Sequence, residues 1–343
     1  MNEVRWLAPA YYSRFTCKAD RCRHTCCSGW RIPVSRREYE RLITMDRTPE
    51  LDRRIQNAFV VPKTVSDSCY RYIAFNWEGV CPIMKDGLCS LYQEKGEEFQ
   101  SRVCRLYPRS LKNINGVNVA SCSSSCERVV EMLYGHDCMK IEEISLDEKA
   151  ELTYEVGEDD IEQIKEFEEL IRDETTTLAQ SIADICRIIN KEEFDRDFDE
   201  DTDSVRNGIE LLERFSTSNP ILEQIIQDIS VRYRDGDVFC RDREEFEKKY
   251  PDWMKFFERL MNNSMLYECF PFVDKRADRT KVYKGLCCCY GLLRLACIGA
   301  THDSDDVDDL VDAAAALFHL IDHTAFYYNA SIIVDNAAAM LRI

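Results

Sequence analysis

The feature that most constrains this chain is the density of cysteines in its first third. Four thiols fall within the eleven residues from Cys17 to Cys27, and six more follow before residue 127. Where thiols are kept reduced, such density predicts metal ligation or redox chemistry and disfavours a disulfide framework. The candidate metal ligands are Cys17, Cys22, Cys26, Cys27, Cys81, Cys89, Cys104, Cys122 and Cys126.

The expected compartment is the cytoplasm. The first fifteen residues contain no apolar h-region, so no secretory signal is predicted. The longest apolar run, residues 285–300, contains Arg294, and we expect it to be too short and too charged to cross a bilayer. A secreted, disulfide-stapled chain is the alternative, but such scaffolds are usually small, whereas 343 residues can bury a core.

Charge is unevenly distributed along the chain. Residues 1–140 carry 22 Lys and Arg against 16 Asp and Glu, whereas residues 141–343 carry 23 against 47. The acidic second part would repel phosphate backbones, so nucleic acid is not expected as a partner. It could attract a lysine-bearing substrate, although a simply solvated acidic surface is the more common explanation.

Periodicity predicts a mainly α-helical protein in two parts: a cysteine-rich metal-binding region of loops and helices over 1–140, and an acidic α-helical domain over 141–343. Ser35 is expected to cap a helix that runs to Phe59, and Asn219-Pro220 to open another. Asp86-Gly87 predicts a hairpin that brings Cys81 and Cys89 together, and Asn115-Gly116 predicts a further turn.

Spacing alone leaves the metal open. Cys22-x3-Cys26 and Cys122-x3-Cys126 fit the pairs of structural zinc sites loosely. Iron–sulfur clusters also take four thiolates, at varied spacing. Nine thiols exceed one four-ligand site, so some of them serve another purpose.

Three separated motifs resemble a known family. They are Cys-x4-Cys-x3-Cys-Cys-x-Gly-Trp from Cys17, Cys81-Pro82 with Cys89-x-Leu-Tyr, and Arg102-x-Cys-Arg-x-Tyr-Pro108. In this order they resemble the flagellin lysine N-methylase family, and also a wider group of small zinc- or iron-chelating proteins. The length and the helical second part suit the flagellin enzymes better.

The resemblance implies a protein-lysine N-methyltransferase that uses S-adenosylmethionine, acts on flagellin and carries a 4Fe–4S cluster. The family's cysteines correspond to seven of the candidate ligands and less surely to Cys122 and Cys126. No G-x-G-x-x-G occurs, so a Rossmann-like methyltransferase is not predicted. A non-catalytic zinc- or iron–sulfur-binding protein, with a structural or metal-handling role, is the alternative from a different class. The motifs identify no catalytic base and no methyl-donor site.

Two further groups of residues call for interpretation. His319 and His323 lie four apart on a predicted helix, and we interpret them as a helix-surface pair and not as a metal site. Cys287-Cys288-Cys289 lies in an apolar helical run, where successive side chains point about 100° apart. We interpret these three thiols as small buried hydrophobes.

Overall fold

The computed structural model describes residues 4–343 except 78, 136–137, 174, 191–201, 216–218 and 274–277. The strands are β1 (Val4–Pro9), β2 (Pro33–Val34), β3 (Phe59–Val60), β4 (Arg71–Ile73), β5 (Met84–Lys85), β6 (Leu88–Cys89), β7 (Arg109–Ile114), β8 (Val117–Cys122), β9 (Ile141–Leu146) and β10 (Leu152–Tyr154). The helices are α1 (Ala10–Arg14), α2 (Arg36–Thr44), α3 (Pro49–Gln56), α4 (Ser90–Lys95), α5 (Arg102–Leu106), α6 (Glu127–Gly135), α7 (Glu158–Ile171), α8 (Leu178–Asn190), α9 (Thr202–Arg214), α10 (Pro220–Arg232), α11 (Gly236–Lys249), α12 (Trp253–Glu268), α13 (Tyr283–Thr301), α14 (Val307–Asp322) and α15 (Phe326–Ile333). The predicted mainly α fold class is confirmed.

The chain forms two units. The smaller unit is Thr16–Pro108, and the larger unit combines Met1–Phe15 with Arg109–Ile343. Residues 109–140, which the sequence analysis grouped with the metal-binding region, belong to the larger unit. Two of the nine candidate ligands, Cys122 and Cys126, therefore lie in a different unit from the other seven.

The smaller unit is built on short helices and small sheets. Strands β2, β4 and β3 form a three-stranded antiparallel sheet, and β5 pairs with β6. Ser35 caps α2 in a capping box with Glu38, as predicted. The prediction of a single helix that reaches Phe59 is wrong, because α2 ends at Thr44. A second helix, α3, begins at Pro49, and the side chain of Thr48 caps it. The apolar core contains Ile32, Val34, Leu42, Leu51, Ile55, Ile73, Ile83 and Leu91.

The larger unit combines a sheet with a helical core. Its five strands have the order β10-β7-β8-β1-β9, in which β1 runs parallel to β8 and antiparallel to β9. The turn predicted at Asn115-Gly116 joins β7 to β8, with φ of 48° and 85° at these two residues. Asn219 caps α10, as predicted. Strands β9 and β10 interrupt the region that the sequence analysis described as helical throughout.

Helix α13 is the core of the larger unit. It contacts α8, α10, α14 and α15, and Cys287, Cys288 and Cys289 are fully buried in it, as interpreted from the sequence. The stretch Arg279–Thr301 is long and apolar enough to cross a membrane, so the expectation that this region is too short was wrong. Of its most apolar window, 83% is buried within the structure, which is typical of the core helix of a folded domain.

Candidate metal centre

Five of the candidate thiols line one cavity in the smaller unit. Cys26, Cys27, Cys81, Cys89 and Cys104 surround a space of about 70 Å³, whose remaining walls are mostly apolar. Four of them interact electrostatically in all six pairwise combinations. The structure thus brings together thiols from four separate segments of the sequence, and we call Cys27, Cys81, Cys89 and Cys104 the thiol cluster.

The segment that carries Cys27 is fixed against the segment that carries Cys81. The amide of Cys81 donates to the carbonyl of Cys27 at 2.8 Å, and the amide of Gly29 donates to the carbonyl of Gly79 at 3.2 Å. Gly29 has φ of 79°, a conformation that favours glycine, so the sharp backbone path after the paired cysteines needs this residue. These backbone bonds hold the two sulfurs on facing segments.

The predicted hairpin positions Cys89. Asp86 and Gly87 have φ of 51° and 78°, which is the conformation that a tight two-residue hairpin turn requires. Cys89 pairs with Met84 across the hairpin, whereas Cys81 precedes the first strand and accepts from the amide of Met84 at 3.0 Å. The hairpin is confirmed, but Cys81 lies at its base and not on its arm.

Helix α5 presents Cys104. Ser101 caps this helix by accepting from the amide of Cys104 at 3.2 Å. The carboxylate of Glu38 accepts from the amide of Arg102 at 2.6 Å and also from the amide of Ser35 at 2.8 Å. Glu38 therefore ties the start of α2 to the start of the helix that carries a thiol. The sequence analysis missed Glu38, although the capping-box spacing Ser-x-x-Glu marks it.

The aromatic residues of the family motifs also meet at this cavity. The indole nitrogen of Trp30 donates to the carbonyl of Cys26 at 2.9 Å. The rings of Trp30 and Tyr107 lie 5.7 Å apart between centroids, and both line the cavity. The Gly-Trp and Tyr-Pro motifs are thus parts of one wall, which explains why they accompany the cysteines in the sequence.

Burial sets the protonation of the thiol cluster. It raises the pKa of Cys81 and of Cys89, and raises that of Cys104 to about 12. A hydrogen bond with the thiol of Cys26 lowers the pKa of Cys27 to about 7. Because thiolates and not thiols ligate metals, a metal that binds here displaces protons from at least three of the four sulfurs.

The remaining candidate ligands have different surroundings. Cys17 is exposed and its sulfur accepts from the amide of Ala19 at 3.4 Å, and Cys22 is half-buried. In the larger unit, Cys122 is fully buried at the end of β8 and burial raises its pKa, whereas Cys126 is half-buried. None of these four thiols is among the described residues that line the cavity.

The interpretation of the two histidines as a helix-surface pair is wrong for His323, which follows the last residue of α14. Their rings lie 5.0 Å apart, but Nε2 of His323 lies 2.9 Å from the hydroxyl of Ser125. Burial lowers the pKa of His323 to about 3, so its ring is neutral at physiological pH. His323 therefore belongs to an internal hydrogen-bond network of the larger unit.

The chain thus combines a small, loop-rich unit that has a thiol-lined cavity with a larger, mainly helical unit. The chain belongs to the FliB lysine N-methylase family. Residues 138–334, more than half of the chain, match the profile of the FliB lysine N-methylase C-terminal domain. This match lies within the larger unit, and the thiol cluster precedes it in the sequence. The family resemblance drawn from the cysteine motifs is confirmed.

Curated relatives are similar over less than half of the chain. A lysine-N-methylase of Salmonella typhimurium is 26% identical over 146 residues, which are 42% of this chain and 36% of the relative. The flagellar biosynthetic protein FliU of Salmonella muenchen is 26% identical over 136 residues, which are 39% of this chain and 79% of that protein. The chain thus spans about a third of the length of the lysine-N-methylase. No solved structure matches the chain significantly.

Proposed function

We propose that this chain is a protein-lysine N-methyltransferase that uses S-adenosylmethionine, methylates flagellin and carries a 4Fe–4S cluster on Cys27, Cys81, Cys89 and Cys104. The convergence of these four thiols on one cavity is the observation that supports the cluster. Membership of the FliB family and the names of the relatives support lysine methylation and a flagellar substrate.

The cavity suits a polynuclear centre better than a single ion. A space of about 70 Å³ is several times the ~10–15 Å³ that one water molecule needs. A structural zinc ion with bonds of about 2.3 Å would leave much of this space empty unless the walls closed in. Four cysteine thiolates are the usual ligands of a 4Fe–4S cluster. When bound, such a cluster would supply a redox-active iron centre with mostly apolar walls.

The proposal assigns no ligand role to the other predicted thiols. Cys26 lines the cavity and interacts with Cys27, but it is exposed. Cys122 and Cys126 belong to the larger unit. The methyl donor has no assigned residues, and a cytoplasmic location remains an expectation from the sequence.

Metal analysis with a visible spectrum tests the cluster. Protein purified without oxygen is expected to be brown and to contain about four iron and four sulfide per chain. Cys27→Ser and Cys104→Ser are expected to lose most of the iron, whereas Cys69→Ser, in the same unit but outside the cavity lining, should keep it. Loss of iron in Cys17→Ser but not in Cys27→Ser would contradict the proposed ligand set.

Methylation of flagellin tests the activity. Incubation with flagellin and S-adenosylmethionine is expected to give methyl-lysine, measured by mass spectrometry of the flagellin peptides. A colourless protein with stoichiometric zinc and no methyl-lysine would instead support the non-catalytic metal-binding alternative.

A further inference from the structure

The larger unit contains a buried polar cluster that the thiol centre does not explain. It lies where α12, α13, α14 and α15 pack beside β7 and the turn after β8. We call it the Asp322 cluster. Its members are Lys112, Ser123, Ser264, Tyr267, Asp322 and Tyr327.

Three polar atoms of this cluster are buried without a hydrogen bond among the described residues. They are Oδ1 of Asp322, Oγ of Ser264 and the hydroxyl oxygen of Tyr327. Ser264 is 1% exposed and Tyr327 is 3% exposed, so bulk water does not satisfy them. An unsatisfied buried polar group costs about 1–3 kcal/mol. Ser264 lies close enough to the hydroxyl of Tyr327 to lower its pKa, so these two hydroxyls can pair with each other, whereas Oδ1 of Asp322 leaves a place for a donor that does not belong to the chain.

The surroundings suit an amine. A primary alkylammonium has three N–H donors and no acceptor, and it is attracted to carboxylates and to the faces of aromatic rings. The cluster already holds one amine beside an aromatic face, because Nζ of Lys112 lies 4.9 Å from the ring centroid of Tyr267. Burial lowers the pKa of Lys112, while Glu268 and Asp322 raise it. A nearby cationic amine would lower the pKa of a second one.

A chain of exchangeable protons leads away from Asp322. The hydroxyl of Ser123 donates to Oδ2 of Asp322 and lies 2.5 Å from the hydroxyl of Ser125. Ser125 in turn lies 2.9 Å from Nε2 of His323, whose ring contacts that of His319. These contacts place Oδ2 of Asp322 at one end of a hydrogen-bonded chain that ends at the neutral ring of His323.

We propose that the Asp322 cluster binds the side chain of a substrate lysine and removes one proton from its ammonium group. This inference rests on the proposed lysine methylation, which requires a neutral amine, since an ammonium has no lone pair. The carboxylate of Asp322 takes the proton, and the amine lone pair forms the new N–C bond to the donor methyl group. The C–S bond breaks with its electron pair on the sulfur, and the sulfonium becomes a neutral thioether.

Amine binding can be measured without methyl donor or flagellin. Nα-acetyl-lysine methylamide is titrated into the full chain, and Nα-acetyl-norleucine methylamide, which lacks only the amine, serves as the control ligand. We expect at least tenfold tighter binding of the lysine amide, and a loss of that preference in Asp322→Asn. Tyr327→Phe should weaken binding of the lysine amide. Tyr250→Phe, which removes another buried hydroxyl without a hydrogen bond, should leave this binding unchanged. Equal binding of the two amides would overturn the inference, whether or not flagellin is methylated.

The proton role has a separate readout. Asp322→Asn is expected to slow flagellin methylation at pH 7 by about 100-fold or more, with iron content unchanged. Its rate should recover toward that of the wild type near pH 10, because free lysine side chains then become neutral. The titratable groups that face Asp322 from other elements are Lys112, Tyr267, Cys289 and Tyr327, and Glu151 and Glu268 in turn face Lys112 and Tyr267. Tyr327→Phe, which leaves the carboxylate in place, should show no such recovery, and an equal loss at both pH values in Asp322→Asn would contradict proton removal by Asp322.

Discussion

Replacing Asp322 by asparagine should stabilise the protein at neutral pH while abolishing amine binding. Burial raises the pKa of Asp322 from the ordinary 3.8 to about 7. Between about pH 4 and pH 7 the unfolded chain gives up this proton more readily than the folded chain. The free energy of unfolding therefore falls as pH rises, and the full destabilisation is reached above pH 7. At about 1.4 kcal/mol for each pKa unit, the cost approaches about 4 kcal/mol.

Asparagine has the same shape, can still accept from Ser123 and carries no charge to desolvate. Thermal unfolding of wild type and Asp322→Asn is to be followed at pH 5, 6, 7 and 8. The melting temperature of the variant should exceed that of the wild type by a margin that grows with pH, at about 2–4 °C for each kcal/mol of stability in a unit of this size. Asp303→Asn, an exposed residue of the same unit, should change stability by less than about 0.5 kcal/mol at every pH. A variant that is less stable than the wild type at pH 8, or a difference that does not depend on pH, would refute the reasoning.

Two further substitutions test the packing that supports each unit. Glu38→Ala removes the charge-assisted bond to the amide of Arg102 and should destabilise the smaller unit by about 2–4 kcal/mol in denaturant unfolding, whereas Glu40→Ala, exposed on the same helix, should have little effect. In the larger unit, Gly291→Ala would place a Cβ 2.3 Å from the backbone oxygen of Met340 and should cost about 1–3 kcal/mol or more; unchanged stability would show that this helix can move away.

Short-range sequence signals predicted turns and helix starts correctly. Asp86-Gly87 and Asn115-Gly116 each predicted a turn because both positions need positive φ, which these residues adopt at low cost. Ser35 and Asn219 predicted helix starts because their side chains accept from the first free amides. Cysteine density predicted a convergence of thiols but could not say which ones, because spacing does not determine which segments face each other.

The five-stranded sheet of the larger unit was missed because its pairings are remote in sequence. Strand β1 lies between β8 and β9, more than a hundred residues later. Its partner β9, at the edge of the sheet, has the sequence Ile-Glu-Glu-Ile-Ser-Leu, which does not alternate strictly between apolar and polar residues although the burial of its side chains does. The Asp322 cluster was missed for the same reason, since Lys112 and Asp322 come from distant parts of the chain.

Two buried carboxylates of the larger unit show why the Asp322 cluster calls for a functional explanation. Asp242 is 2% exposed, but the guanidinium of Arg232 donates to both of its oxygens, so its burial is compensated within the fold. Asp322 receives the hydroxyl of Ser123 on Oδ2, and the nearby backbone amides of Ser124 and Ser125 also favour its charged form, but Oδ1 makes no hydrogen bond among the described residues. Asparagine would avoid the cost of the charge without changing the shape. A carboxylate that weakens its own fold at neutral pH is what a site that must bind and deprotonate an amine requires, since stability and activity are often in conflict at such positions.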